Sequence, residues 1–155
     1  MLKSPTQSAI KLCVLAALTN DGEVGKSELD IILRQLTPVF KDDHKNVYDY
    51  FVMVRGEYQA KCLSLDSMRE VAMQDAPGFI AALRAQASSL NACALAIDIV
   101  RRVANAGDDL RGTRNAKAFQ PLLELVSLHY SQVQQENLAV LDRRIAEIQQ
   151  QPTKR

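Results

Sequence analysis

Apolar residues recur at spacings of three and four along most of the chain, which is the period of an α-helix. No run alternates between apolar and polar positions as a strand does, so the sequence predicts no sheet. Ser4 can cap the first helix, and Pro5 suits its first position because no N–H is needed there. The pattern predicts an all-α domain of about seven helices, over residues 5–18, 25–37, 43–63, 66–74, 79–87, 90–105 and 113–130, with a helical tail over 131–149.

Clusters of turn-forming residues separate several of these helices, at 20–25, 75–78 and 105–109. Pro38 ends the second helix, since a residue before proline is disfavoured in the α region. Pro121 falls inside the span 113–130, so it predicts either a kink or a helix start nearer Gln120.

The last helical segment carries one apolar stripe, which we call the apolar stripe throughout. Its members are spaced by three, four and three positions: Leu138, Leu141, Ile145 and Ile148. The repeat covers less than three heptads, too little to predict a coiled coil by itself. Such a stripe more often packs on its own domain, and the alternative is a surface for dimerisation or for docking a partner. Residues 151–155 are expected to fray.

Composition and charge restrict the class of protein. The 155 residues have the length of one domain, expected to occupy 1–150, and 47% apolar with 24% charged residues is typical of a globular chain. A net charge of +1 argues against a dedicated nucleic-acid binder.

The apolar run Leu12–Leu18 is too short for a membrane span or a signal peptide, so the sequence predicts a cytoplasmic protein. The cysteines are far apart and are expected to be reduced and buried: Cys13, Cys62 and Cys93.

The turn after the first helix is the local stretch with candidate ion chemistry. Three carboxylates lie within eight positions of one another around Gly22: Asp21, Glu23 and Glu28. A calcium-binding EF-hand loop is disfavoured because Ala17 and Thr19 stand where it needs carboxylates. A structural interpretation is that Gly22 supplies a positive φ angle and Glu28 caps the next helix. The alternative is a weak site for calcium or magnesium, shared with Asp108 and Asp109.

Two segments 86 positions apart share a pattern, Asp21-Gly22-Glu23-Val24 and Gly107-Asp108-Asp109-Leu110. Each follows an apolar helix and precedes an amphipathic one, as in an αα-hairpin. The similarity suggests two pseudo-symmetric helical hairpins whose acidic turns meet at one end of the molecule. A chance alignment of two amphipathic helix pairs would look the same.

The stretch from Leu15 to Val24, followed by Glu28 and Ile32, resembles the first hairpin of TerB-like domains, the all-helical domains first associated with tellurite resistance. The second turn departs from the family pattern, because Gly107-Asp108-Asp109-Leu110 inverts the usual order. The resemblance implies a compact helical bundle with paired acidic loops and a bacterial role in stress response, toxic-oxyanion response or phage defence. It also implies action through protein partners, often near the membrane, rather than catalysis.

Catalytic signatures are missing from the sequence. It contains no phosphate loop, dinucleotide fingerprint or nucleophile elbow. His44 and His129 lack metal-ligand spacing, and a Cys–His pair stays formally open although each cysteine has apolar neighbours. We therefore expect a non-enzymatic protein. Basic residues near the second turn suggest either a solvated face or an anion-binding patch: Arg101, Arg102, Arg111, Arg114 and Lys117.

Overall fold

The structure, a computed structural model, describes residues 2–106 and 118–150. These residues form six α-helices and one π-helical segment, and no strand occurs among them. The all-α class is thus confirmed, with six helices in the described residues rather than about seven. The helices are α1 (Ser4–Asp21), α2 (Lys26–Ile31), α3 (His44–Lys61), α4 (Leu65–Gln86), α5 (Leu90–Asn105) and α6 (Gln120–Gln150), and the π-helical segment Ile32–Leu36 continues α2.

Helix α1 is the centre of the bundle and contacts α3, α4, α5 and the π-helical segment. Fourteen of its eighteen residues are buried, so it is enclosed on every side rather than along one stripe. Small side chains such as Ala9, Ala16 and Ala17 have no exposed surface and let neighbouring helices approach closely. The short helix that the sequence predicted over 5–18 is therefore the core of the domain.

The C-terminal end of α1 is held by polar contacts that are buried or partly buried. The Asn20 side-chain amide donates to the Ala104 carbonyl (3.0 Å), and its Oδ1 accepts from the Phe119 N–H (3.2 Å). The Arg69 guanidinium donates to the Thr19 carbonyl (2.8 Å) and lies 4.9 Å from the centre of the Phe119 ring. Asn20 thus joins α1 to the end of α5 and the start of α6, although the sequence analysis placed it in a turn.

Two adjacent aspartates cap two different helices. Asp43 is the N-cap of α3 and accepts from the Lys45 N–H (3.1 Å). Asp42 instead caps α1 from a distance, accepting from the Lys3 N–H and the Thr6 hydroxyl. The prediction that Ser4 caps α1 is wrong, because Ser4 is already inside the helix.

Helix α4 continues through the predicted turn at 75–78. Pro77 lies inside the helix and is exposed, as is Gly78. An interior proline costs about 3 kcal/mol and a glycine about 1 kcal/mol. Burial of one large aliphatic side chain yields about 1.5–3 kcal/mol. The apolar face of α4 is unbroken across Pro77 and outweighs both costs, through Met68, Ala72, Ala76, Ile80 and Leu83, which are all buried.

Helix α6 begins at Gln120, so the alternative of a helix start next to Pro121 is correct for the described residues. Proline is tolerated there because the first-turn N–H groups have no partner within the helix. The predicted tail 131–149 is not a separate element but the second half of this one helix. No helix within residues 2–106 and 118–150 is long and apolar enough to cross a membrane.

The proposed internal duplication is only partly visible. The contact between Asn20 and Ala104 places the C-terminal ends of α1 and α5 side by side, so the chain leaves both helices at the same end of the bundle. The second turn itself, with Asp108 and Asp109, lies outside the described residues. The pseudo-symmetry of the two hairpins therefore stays a prediction.

Candidate functional site

The second half of α6 extends beyond the bundle. The first half packs on the bundle through three buried residues, Leu122, Val126 and Val133. Val133 is the last buried residue of the helix. Residues 134–150, which we call the α6 extension, continue for about 25 Å at the rise of an α-helix. Their side chains are exposed apart from the half-buried Gln134, Asn137 and Val140. Among residues 2–106 and 118–150, no helix of the bundle covers the remaining side chains of this segment.

The apolar stripe lies on this extension and faces solvent. Leu138 is 58% exposed, Leu141 44%, Ile145 52% and Ile148 66%. Single exposed leucines are normal on protein surfaces, but four large aliphatic side chains at heptad spacing form a contiguous apolar surface. The interpretation that the stripe packs on its own domain is therefore wrong for the described residues, and the alternative of a docking surface stays a prediction.

A groove runs beside the stripe, and we call it the Leu90 groove. It has a volume of about 570 Å³ and is lined by Ser88, Ser89, Leu90, Asn91, Asn137, Val140, Leu141 and Arg144. Ser88 and Ser89 belong to the connection between α4 and α5, and Leu90 and Asn91 to the first turn of α5, which the Ser89 hydroxyl caps by accepting from the Ala92 N–H (3.0 Å). Leu141 belongs to both the stripe and the groove, so the two surfaces are continuous.

The base of the extension is anchored to the bundle at several points. An ion pair joins Arg84 on α4 to Glu136 on α6. Tyr130 precedes Glu136 by about one and a half turns of α6, and the centre of its ring lies 4.3 Å from the Arg101 guanidinium of α5. These contacts fix the direction in which the extension leaves the bundle, so the stripe is presented on a supported helix rather than on a loose tail.

The acidic loop has a structural role at two of its three carboxylates. Asp21 Oδ1 accepts from the Glu23 N–H (3.0 Å), and Glu28 Oε1 accepts from the Gly25 N–H (2.8 Å). Glu28 is only 3% exposed and caps the N-terminus of α2 through this hydrogen bond, whereas Glu23 is exposed. Gly22 has a φ of +88° and closes α1 through its N–H, as the sequence predicted.

The predicted cation site is not assembled by these residues alone. Across the two described ranges, no three histidine, cysteine, aspartate or glutamate side chains lie close enough together to hold a metal ion. Asp108 and Asp109, the other predicted ligands, lie outside the described residues. A calcium or magnesium site shared between the two turns therefore stays a prediction.

The basic residues at the end of α5 are engaged with one carboxylate. Asp98 binds the guanidinium groups of Arg101 (2.6 Å) and Arg102 (2.8 Å), and Arg102 also donates to Gln35 (2.7 Å). An open groove of about 570 Å³ lies beside this cluster. It stands at a helix C-terminus, whose partial charge repels anions. These contacts favour a structural role over an anion site; Arg111, Arg114 and Lys117 lie outside the described residues.

Burial changes the acidity of His129 and of two of the three cysteines. Burial, with the nearby positive charge of Arg84, lowers the pKa of His129, and its Nδ1 has no hydrogen-bond partner. Burial likewise raises the pKa of the Cys13 and Cys93 thiols. Cys62 lines a groove of about 350 Å³ beside Asp21, but the described lining includes no histidine or lysine to activate its thiol.

Comparisons with known proteins do not assign a family: a scan against protein-family models, a search of the curated proteins and a search of the solved structures each return no match.

The stripe follows from the sequence pattern, but the Leu90 groove next to it does not. Ser88 and Ser89 carry a capping signal for α5, which says nothing about a helix some fifty positions further along the chain. The groove exists because α6 passes this connection and then leaves the bundle. Only the packing of distant elements could reveal it.

Proposed function

We propose that this chain is a non-enzymatic partner-binding module whose binding surface is the apolar stripe on the α6 extension. The observation that carries the proposal is the exposure of four aliphatic side chains on a helix that the bundle anchors but does not cover. A helix that presents such a face is a common recognition element, because a partner gains the free energy of burying it. The buried thiols and the engaged carboxylates support the absence of catalysis in this proposal.

The resemblance to TerB-like domains agrees with this proposal in one respect, since that family is thought to act through partners. A role in bacterial stress response or defence, and peripheral association with a membrane, follow from the resemblance alone. The Asp-Gly-Glu turn does form a tight helix–turn–helix connection, which supports the resemblance locally. The cation site belongs to the same proposal and has its own test.

Calorimetric titration of the full chain with calcium and magnesium tests the cation site. If it exists, we expect saturable heat that falls when Glu23 is replaced by glutamine, because Glu23 is the exposed carboxylate of the first loop. The matched control is Glu57→Gln, an exposed carboxylate on α3. Absence of heat in the unmodified chain, or equal heat in both variants, would remove this loop as a cation site.

Capture from an extract of the source cells tests the binding surface. The unmodified chain is immobilised beside the double variant Leu141→Asp/Ile145→Asp, which places two charges on the stripe. The matched control is Ala139→Asp/Ala146→Asp, which adds the same charges to exposed positions of the same helix, away from the stripe. We expect the stripe variant to lose at least one protein that the unmodified chain and the control both retain.

The same set of proteins on all three supports would contradict this assignment of the surface. Circular dichroism of each variant confirms that the helices remain, so a loss of binding is not a loss of fold.

A further inference from the structure

We propose that a second copy of this chain covers the apolar stripe, with the two α6 extensions packed antiparallel about a two-fold axis. The inference rests on the proposed function, because it names the partner for the same surface. Four observations carry it: the order of the stripe residues, the groove beside them, the charge of the extension and the side on which the bundle lies.

The spacing of the stripe is self-complementary. Three, four and three positions read the same from either end, so an antiparallel copy presents the same sequence of gaps. A two-fold axis passing near residue 143 sets Leu138 opposite Ile148 of the second copy. It also sets Leu141 opposite Ile145 of the second copy. Each layer then pairs one leucine with one isoleucine, which is the isologous contact that a two-fold dimer requires.

The stripe alone is too small for a stable dimer. A specific interface buries on the order of 1,200 Å² or more in total, and two helices of less than three heptads are marginal by themselves. The Leu90 groove supplies additional surface directly beside Leu141. In the antiparallel arrangement the helix of the second copy runs along this groove, and its Ile145 and Ile148 lie next to Leu90 and Val140. Stripe and groove together extend the contact onto the bundle.

The charges of the extension permit two copies to approach. Glu136 is already paired with Arg84 of its own chain. The remaining charged residues of 134–150 cancel, since Asp142 and Glu147 balance Arg143 and Arg144. Two extensions without net charge bring little long-range repulsion, in contrast to a strongly basic or acidic helix.

The position of the bundle favours the antiparallel orientation. Leu141 lies at the edge of the bundle, so a helix that covers it must fit between the stripe and the α4–α5 connection. An antiparallel copy brings only its helix end to this place. A parallel copy would place its whole bundle beside the bundle of the first copy. It would also set the two helix dipoles side by side in the same direction, which is unfavourable and does not occur in antiparallel packing.

Light scattering coupled to size exclusion tests the inference on the full chain. At about 100 µM, which populates complexes of micromolar Kd, we expect twice the 17.2 kDa chain mass. The variant Leu141→Asp/Ile145→Asp is expected to give the single-chain mass, and the control Ala139→Asp/Ala146→Asp the doubled mass. A single-chain mass for the unmodified protein at this concentration overturns the inference, as does a doubled mass that the stripe variant retains.

Disulfide trapping tests the orientation. A mixture of Leu138→Cys and Ile148→Cys chains is expected to form the mixed disulfide under mild oxidation, while each variant alone forms little. The natural cysteines are buried, and the unmodified chain oxidised under the same conditions gives the background that they contribute. A Leu138→Cys disulfide between like chains would instead indicate parallel packing and contradict the proposal. If the protein is monomeric but the capture experiment still depends on the stripe, the proposed function stands and the second copy is the wrong partner.

Discussion

Replacing Leu15 by alanine is expected to lower the free energy of unfolding by about 2–5 kcal/mol. Leu15 lies in the middle of α1 and has no exposed surface, and the helices around α1 surround it on all sides. The cost has two parts: the lost transfer of the side chain from water, and the cavity that a well-packed centre cannot close. Urea unfolding followed by far-UV circular dichroism measures the change.

Leu63→Ala is the matched control, because Leu63 is 91% exposed in the connection between α3 and α4. A surface leucine is expected to change the free energy of unfolding by no more than about 0.5 kcal/mol. Equal effects of the two substitutions would contradict the central position of α1 on which the fold depends.

Replacing Asn20 by alanine is expected to lower the free energy of unfolding by about 2–4 kcal/mol, since an unsatisfied buried polar group costs about 1–3 kcal/mol. The substitution removes two hydrogen bonds, one to the Ala104 carbonyl and one from the Phe119 N–H. Both groups lose their partner at the point where three helices meet. Thermal and urea unfolding of the same variant report the loss independently.

Asn91→Ala serves as the control, because Asn91 is an exposed asparagine on α5. We expect a change within about 0.5 kcal/mol for this surface position. Comparable stability of Asn20→Ala and Asn91→Ala would show that the Asn20 amide does not join α1, α5 and α6.

The contrast between α4 and the acidic loop shows which signals the sequence carries reliably. Gly22 and Glu28 act within a few residues of themselves, so the turn and the α2 cap could be predicted from local chemistry. Pro77 was expected to end a helix for an equally local reason, and that prediction was wrong. The gain from burying Ile80 and Leu83 is invisible without knowing that α4 packs along α1.

The candidate site shows the same division. The stripe could be predicted because Leu138, Leu141, Ile145 and Ile148 lie on one face of any α-helix. Whether that face is buried could not be predicted, since burial depends on how far α6 extends beyond its neighbours. The exposed stripe and the Leu90 groove are consequences of that length.

The sequence by itself determined the helical class, most helix ends and the face on which the apolar residues lie, because these follow from periodicity and from capping groups a few residues away. The tertiary structure decided that α1 is the central helix and that α4 is continuous. It also decided that the second half of α6 extends beyond the bundle and stays exposed. These features depend on the free energy of packing between distant segments, which no local pattern contains.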